Sequence, residues 1–464
     1  MAESRTFTGL LAATAVGVYL LVLAGATTTL TDAAAACTTW PLCDGPVGVT
    51  NTALLIAWGH RLTAAVVGLL AIVTTVIGLR SGCRGRVKAA LIWGALLYPV
   101  QIALGAFVAT STSVAFLSGA HLAVGMVIFG LFVLGLAWHL EAETGSDEEE
   151  PVKNPTLAPE PAGDDSPEPT PNLSTRERII GTAFAYFRLT KPRLMWLLCL
   201  VAAAGMALAA GDALTVQTVL LTLGGGVLSI GASGTFNHVL ERDIDKRMDR
   251  TSDRPIATHQ IPVQNAFTFG ILLSLASLWL FWQVNVLVAL LGLTAILFYS
   301  VIYTLVLKPN TVQNTVLGGA AGALPALIGW VAAEGSVDLP GLVLAGVIFL
   351  WTPAHFYNLA LAYKDDYEAG GFPMMPVVRG ETETRKHIVY YLGSTLVAAG
   401  ALGVLTSLGW LYAITSVCLG AVFLWTVIDL HREQTESAAF RAFHASNAYL
   451  GAVLIAIVID ALAL

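Results

Sequence analysis

An all-α integral membrane protein is the fold class this sequence predicts, a four-helix transmembrane bundle followed by a nine-helix one. Three observations carry that expectation. Hydrophobic residues fill 56% of the 464 positions and charged residues only 12%, more apolar surface than a soluble core can cover. Apolar stretches long enough to cross about 30 Å of hydrocarbon, at 1.5 Å per residue, recur roughly thirteen times. One acidic, proline-rich segment interrupts the series.

The expected spans are 9–30, 53–79, 89–110 and 115–140, then 194–211, 216–240, 264–283, 285–306, 313–333, 341–362, 388–408, 410–430 and 446–464. Ala33 to Ala36 after the first span would suit a signal peptidase. That span is longer than an ordinary signal core, however, and its LAGATTTLT ending is echoed by LGAFVATSTS at the end of the third, so it reads as a retained helix. Between Glu141 and Pro171 lie ten acidic residues, one lysine and seven prolines, a composition that buries no core and is expected to stay disordered. The chain therefore divides into a domain at 1–140, a linker at 141–175 and a second domain at 176–464.

Lysine and arginine accumulate in cytoplasmic loops. With a cytoplasmic N-terminus, all but one of the 24 basic residues fall on that side: Arg80, Arg84, Arg86 and Lys88 after the second span, and clusters at 176–193, 242–254 and 364–386 among them. Arg61 is the exception. The expected location is thus the cell membrane, multi-pass, with the C-terminus external and the linker cytoplasmic. The expected surroundings are membrane lipid, and no nucleic-acid partner is expected.

The sixth span ends in FNHVLERDIDKRMDRTSDRPIATHQI, where Asn237, Glu241 and Asp245 stand four residues apart and share one face of a continuing helix. A second acidic site, Asp365 and Asp366, lies in LAYKDDYEAGGFPMMPVVRG after the tenth span. Two oxygen-rich clusters at one membrane face suit magnesium and an allylic diphosphate, because magnesium takes carboxylate oxygens together with substrate phosphate oxygens. Arg242, Lys246, Arg247, Arg250, Arg254 and Lys308 could neutralise the leaving diphosphate. A solvated loop obeying the positive-inside rule explains most single basic residues equally well, but not an asparagine followed by two acids at helical spacing.

These residues resemble the UbiA-type membrane prenyltransferases and, within them, the protohaem farnesyltransferases or haem O synthases. The resemblance covers about 188–464 and rests on LTKPR at 189–193, the Asn237-Glu241-Asp245 pattern with its RDIDKRMDRT continuation, RPIA at 254–257, YTLVLK at 303–308, NTVLGGAAGALPALIGW at 314–330, WTPAHF at 351–356 and YKDDYEAGGFPMMPVV. It departs from the family at Glu241, where aspartate is common, and at Pro309, where arginine often follows the lysine. The resemblance implies a nine-helix UbiA-type bundle and magnesium held by Asn237, Glu241, Asp245, Asp365 and Asp366. It further implies farnesyl diphosphate and protohaem IX as substrates, and diphosphate contacts from Arg242, Arg254 and Lys308. Asn314 either contacts diphosphate or bonds a neighbouring helix, and His355 either touches haem or packs as a hydrogen-bonded residue. Gly318, Gly319 and Gly322 suit close helix packing. Two other readings stay open, a prenyltransferase acting on an aromatic or quinone precursor and a non-catalytic haem carrier.

In the first domain His60 and His121 lie seven and six residues inside the external starts of their spans, roughly 10 Å deep at 1.5 Å per residue. Two histidines at matched depth can ligate one haem, although each could instead be a buried polar residue bonding a neighbouring helix. Arg61 either pairs with a haem propionate or snorkels to the interface. Cys37 and Cys43 flank TTWPL on the oxidising side and are close enough to bridge, as a redox-active or a bracing disulfide. Cys83 is expected in a cytoplasmic loop, and Cys199 and Cys418 as apolar filler. Residues 7–140 resemble haem A synthase, through the Cys37 to Cys43 segment, GHR at 59–61, QIALGAFVATS at 101–111 and GAHL at 119–122. That family has two four-helix bundles where one is present here, and often an acid where Ala57 stands. The resemblance therefore implies a homodimer or a haem A synthase partner.

The acidic surface, with arginine outnumbering lysine, predicts a protein from a salt-loving organism. Activity in detergent should fall as salt is lowered from molar to millimolar; a flat salt profile would remove this expectation.

Overall fold

Helices form wherever an apolar run can cross a membrane, and several continue past it. The computed structural model describes residues 2–30, 33, 36–37, 39–43, 51–110, 115–145, 151–152, 154–159, 174–210, 214–406 and 408–463. In chain order the helices are α1 (Ala2–Leu30), α2 (Thr52–Arg80), α3 (Gly85–Thr110), α4 (Ala115–Thr144), α5 (Thr175–Leu189), α6 (Pro192–Ala210), α7 (Val216–Leu240), α8 (Arg242–Asp245), α9 (Val263–Val284) and α10 (Val286–Leu297). A π-helical segment, Phe298–Leu307, continues α10 into α11 (Lys308–Asn310). There follow α12 (Asn314–Glu334), α13 (Leu339–Ala362), α14 (Lys364–Ala369), α15 (Met375–Val378), α16 (Glu381–Leu405), α17 (Trp410–Glu433) and α18 (Glu436–Ala463). Thirteen of these, the π segment counted with α10 and α11, are long and apolar enough to cross a membrane, and no strand occurs among the described residues.

The observed helices overrun the expected ones at polar ends. The last was expected from 446 but begins at Glu436, and the eleventh was expected from 388 but begins at Glu381. Hydropathy cannot see these turns because they carry charge. Ala438, Ala439 and Ala442 are nevertheless buried, as are Thr384, Arg385 and Lys386.

Helix α5 was not expected at all. Its signal was present in the sequence: Ser174 and Glu177 form a capping box, Ser174 Oγ accepting from the Glu177 N–H while the Glu177 carboxylate accepts from the Ser174 N–H. One face buries Ala185 and Leu189 against Val239, Ile256, Ile261 and Ala266. The other exposes Ile179, Ile180, Phe184 and Phe187 among arginines, the composition of a helix lying in a membrane interface.

Part of the linker expected to be disordered is an extended strap. The Val152 N–H donates to the Val377 carbonyl at 2.9 Å and the Ala158 N–H to the Ala369 carbonyl at 2.9 Å. Val152 also packs on the apolar cluster of Met248, Tyr367, Phe372, Met374 and Val377. At its two edges that expectation is overturned, since 141–144 continue α4 while Ser174 caps α5 and Thr175 begins it, and 146–150, 153 and 160–173 lie outside the described residues.

Two compact units result, residues 1–147 with 385–464, and residues 148–384. In the first, α1 packs on α2 and α4, α3 on α4, and α17 on both α18 and α1. Polar contacts tie the early helices to the late ones: Tyr19 Oη with Ser416 Oγ at 2.7 Å, Trp138 Nε1 donating to Tyr390 Oη at 2.6 Å, and Lys386 with Glu141 at 3.0 Å. In the second, α7 packs on α9 and α12 on both α6 and α13. There α6 and α12 meet backbone to backbone, since a Cβ on Gly205 would lie 2.5 Å from the Ala326 carbonyl oxygen and one on Gly329 would strike the Ala202 main chain.

Candidate active site

Asn237, Glu241 and Asp245 form one row because the helical register survives the break after α7. The Glu241 N–H donates to the Asn237 carbonyl at 2.9 Å and the Asp245 N–H to the Glu241 carbonyl at 2.8 Å, so α8 continues the face that α7 presents. All three side chains are buried, at 3%, 4% and 2% exposure, a position a carboxylate holds only with compensation.

Compensation comes from three separate segments. Lys308 Nζ donates to Glu241 Oε1 at 2.6 Å, from the end of the π segment. A run of turns, Met248 to Thr251 to Arg254, folds the chain back so that Arg254 Nη1 reaches both Asp245 oxygens at 2.7 and 2.8 Å, and comes within 3.9 Å of Glu241 Oε2. Lys191, just before α6, donates to Asn237 Oδ1 and, at 3.2 Å, to Tyr299 Oη. Its backbone sits at φ 53°, the left-handed region that a residue with a side chain adopts only when its surroundings require it. Asn237 completes its amide by donating to Thr304 Oγ1 at 3.3 Å.

The π segment makes this convergence possible. Tyr299, Thr304 and Lys308 each touch the row or its lysine, although Tyr299 and Thr304 are five residues apart. A five-residue step leaves one face of an α-helix but stays near it on a π turn.

Burial would raise the Glu241 carboxyl, but Lys308, Lys191 and Arg254 outweigh it and hold the group below its ordinary value. At Asp245 burial prevails over Arg254 and raises the carboxyl. Burial, helped by Arg254, brings the Lys191 ammonium down to about 7 against the opposing pull of the two acids.

The second acidic loop meets the first through Asp366, whose carboxylate accepts the N–H groups of Asp249 at 3.0 Å and Arg250 at 3.1 Å. Arg250 then lies over the rings of Tyr363 and Tyr367, 5.1 and 5.5 Å from their centroids. Asp365 is exposed. Arg242 is exposed and turned toward Asp243, and Asn314 bonds the Thr311 carbonyl and the Thr315 hydroxyl at the start of α12. His355 stacks on Trp351, with centroids 4.3 Å apart. Among the described residues no three carboxylate, imidazole or thiol groups converge to hold a metal by themselves.

A largely apolar cavity of about 710 Å³, its open mouth included, lies between α6, α7, α10 and α12. Lys191 and Tyr299 line one end of it, so the cavity abuts the polar row. Leu194, Leu198, Cys199 and Ala202 supply the α6 wall.

The other compact unit holds a second polar cluster. His60 lies on α2 and His121 on α4, and Gln101 Nε2 lies 3.4 Å from His121 Nε2. Glycines leave room beside both rings: a Cβ on Gly25 would lie 3.6 Å from His60 Cε1, and one on Gly105 would lie 3.0 Å from His121 Cε1. The buried atoms His60 Nδ1, His121 Nδ1, Gln101 Oε1 and Trp58 Nε1 lack hydrogen-bond partners. Cys37 and Cys43 are joined in a disulfide, and Arg61 donates to the carbonyls of Cys37, Thr39 and Pro41, bracing that loop.

Residues 197–450 match the profile of the UbiA prenyltransferase family. The chain belongs to that family. Residues 8–159 match the profile of the cytochrome oxidase assembly proteins. A Haloarcula marismortui protein named Protoheme IX farnesyltransferase is 86% identical over the full length of both chains. Natronomonas pharaonis has a Protoheme IX farnesyltransferase 1 that is 65% identical over 98% of this chain and 99% of its own. The Protoheme IX farnesyltransferase of Mycobacterium avium is 44% identical over 62% of this chain and 94% of its own. A solved structure concerning digeranylgeranylglyceryl phosphate synthase superposes with a TM-score of 0.52, covering 61% of this chain and all of that one; at 15% identity this likeness speaks for the fold.

Within this UbiA fold the sequence-level reading missed Lys191, Tyr299 and Thr304 as site residues. Lys191 stood in the quoted LTKPR, an exposed-looking lysine before proline, and only its buried partners reveal it. Tyr299 and Thr304 left no periodic signal, because the α-helical period does not apply to a π segment.

Removing one member of a buried ion pair strands its partner, at about 3–5 kcal/mol. Lys308→Met should therefore lower the unfolding midpoint in detergent sharply, and Lys308→Met combined with Glu241→Gln should recover most of the loss. A double variant no more stable than the single one would show that the pair is not what is lost.

Proposed function

We propose that this chain transfers the farnesyl group of farnesyl diphosphate to a vinyl group of protohaem IX, giving haem O with its hydroxyethylfarnesyl side chain, in the route to the haems of terminal oxidases. The observation that carries this reading is the apolar cavity abutting a buried row of acids and cations. The name borne by full-length relatives favours haem over a quinone or aromatic acceptor and over a non-catalytic carrier.

Asn237, Glu241 and Asp245, with Asp366 and Asp365 from the second loop, fit a magnesium ion that completes its shell with substrate phosphate oxygens: they are hard oxygen donors, and no closed protein cage is needed. Magnesium would supply charge neutralisation to the diphosphate. In the arrangement described above, Lys308 and Arg254 neutralise the carboxylates. With diphosphate bound they can turn toward its oxygens, so buried charge stays balanced, and Lys191 adds a third cation at the cavity end. Arg242 and Asn314 remain candidates for diphosphate contacts, and His355 for a haem contact.

The farnesyl chain lies along the apolar walls. As the carbon–oxygen bond breaks, its electron pair leaves with diphosphate and the chain is left as an allylic cation. The haem vinyl group attacks that cation and forms the new carbon–carbon bond. The resulting cation beside the porphyrin takes up water and loses a proton, which gives the hydroxyl. The protein's part is to hold the two carbons together and to keep water out until they have joined, which a cavity walled by leucine and alanine favours.

The first module, 1–140, is read as a haem-binding domain similar to haem A synthase, joined by the 141–175 linker to the prenyltransferase module at 176–464. His60 and His121 fit a bis-imidazole haem site, since their buried nitrogens lack partners within the protein. With one four-helix bundle present, oxidation of haem O would call for a homodimer or a haem A synthase partner. The distribution of basic residues supports a cytoplasmic N-terminus and an external C-terminus in the cell membrane.

Incubating the purified chain with protohaem, farnesyl diphosphate and magnesium should yield haem O by mass spectrometry. Glu241→Gln and Asp245→Asn should each lower that yield about 100-fold, and chelation should stop turnover until magnesium is restored. Wild-type yield in either variant would end the site assignment. His60→Ala or His121→Ala should abolish the low-spin haem spectrum of the purified protein; an unchanged spectrum in both would dismiss the bis-imidazole site.

A further inference from the structure

The two ends of the apolar cavity differ in character. On α7 the lining positions run from Gly234 and Ser233, at the Lys191 end, through Gly226 to Thr222. From Gly234 to Gly225, where Phe281 packs, nine steps of the helix cover roughly 14 Å at 1.5 Å per residue. Phe281 of α9 lines the cavity at the level of Gly225, and with Tyr299 at the polar end makes up the aromatic lining among the described residues.

Phe281 cannot swing aside. It is fully buried, and its ring is pressed between two helices that offer glycine to it. A Cβ on Gly225 of α7 would lie 2.6 Å from Phe281 Cε1, and a Cβ on Gly292 of α10 would strike the Cδ2 and Cε2 atoms. Val288, Ala289, Ile328 and Val331 belong to the same buried cluster. Gly226 does the opposite: it shares the cavity-lining face with Thr222 and Ile230, four residues either side, yet a Cβ there would meet no atom within 4 Å. Its missing side chain leaves the passage clear at that level.

We infer that Phe281 is the chain-length stop for the prenyl donor and that Gly226 keeps the passage to it open. The inference rests on the prenyl transfer proposed above and goes beyond it in naming what selects the donor. A farnesyl chain extends roughly 14 Å and a geranylgeranyl chain roughly 19 Å, at carbon–carbon bonds of about 1.5 Å. The first fits between the polar row and Phe281, and the second runs into the ring. A larger side chain at Gly226 would leave roughly 12 Å of passage, by the same helical rise, enough for a geranyl chain only.

The test gives the full-length protein protohaem, magnesium and an equimolar mixture of geranyl, farnesyl and geranylgeranyl diphosphates, and ranks the prenylated haems by mass spectrometry. Wild type should favour farnesyl. Phe281→Leu should raise the geranylgeranyl-to-farnesyl product ratio about tenfold, and Gly226→Leu should lower the farnesyl-to-geranyl ratio about tenfold. If Phe281→Leu fails to fold, Gly226→Leu decides alone, because leucine is a better helix former than glycine and its Cβ meets no atom within 4 Å there. An unchanged donor ranking in the folded variants overturns the inference while leaving prenyl transfer intact. No prenylated haem from wild type with any donor overturns the transfer reading and this inference with it.

Discussion

Two carboxylates buried at the end of a membrane-length helix are the constraint on which the rest of the second unit depends. Glu241 and Asp245 are almost without solvent, so each needs a cation delivered to it, and the chain delivers them from distant points. Lys308 arrives through the π segment, Arg254 through consecutive turns, and Lys191 through a left-handed backbone. Each delivery is locally unfavourable, as irregular helix, lost regular structure or backbone strain. Each is sustained because the alternative is an uncompensated buried charge.

The two polar clusters meet this demand in contrasting ways. The row at Asn237 is satisfied by the protein itself: every carboxylate and the amide oxygen has a cation, so binding an anionic substrate there is an exchange of partners. The histidine cluster in the other unit instead keeps buried nitrogens and an amide oxygen without partners. Such a site gains by addition rather than exchange, the behaviour expected where a prosthetic group is ligated.

The linker shows how composition and structure can diverge over a few residues. Its prolines and acids bury no core, yet Val152 and Ala158 lend two backbone hydrogen bonds to the loop that carries Asp365 and Asp366. That loop in turn holds Asp366 against the Asp249 and Arg250 amides. The strap thus supports a loop adjoining the candidate active site, a role that average hydropathy could not reveal.

The sequence by itself determined the all-helical membrane class and the thirteen long spans, because crossing hydrocarbon imposes a length and an apolarity that survive any packing. It also determined that Asn237, Glu241 and Asp245 share a face, since four-residue spacing is a local property of the helix. Tertiary structure alone decided which cations answer those acids. Arg242, Arg250 and Arg254 look alike in the chain, and only the turns after Met248 turn Arg254 inward while Arg242 stays exposed. It decided, too, that Tyr299, Thr304 and Lys191 belong to the site, because a π segment and a left-handed residue obey no sequence period. Nor could sequence foresee that α16, α17 and α18 would bury their apolar faces in one unit with α1 to α4: packing faces are chosen by shape and contact, which a hydrophobic pattern leaves open.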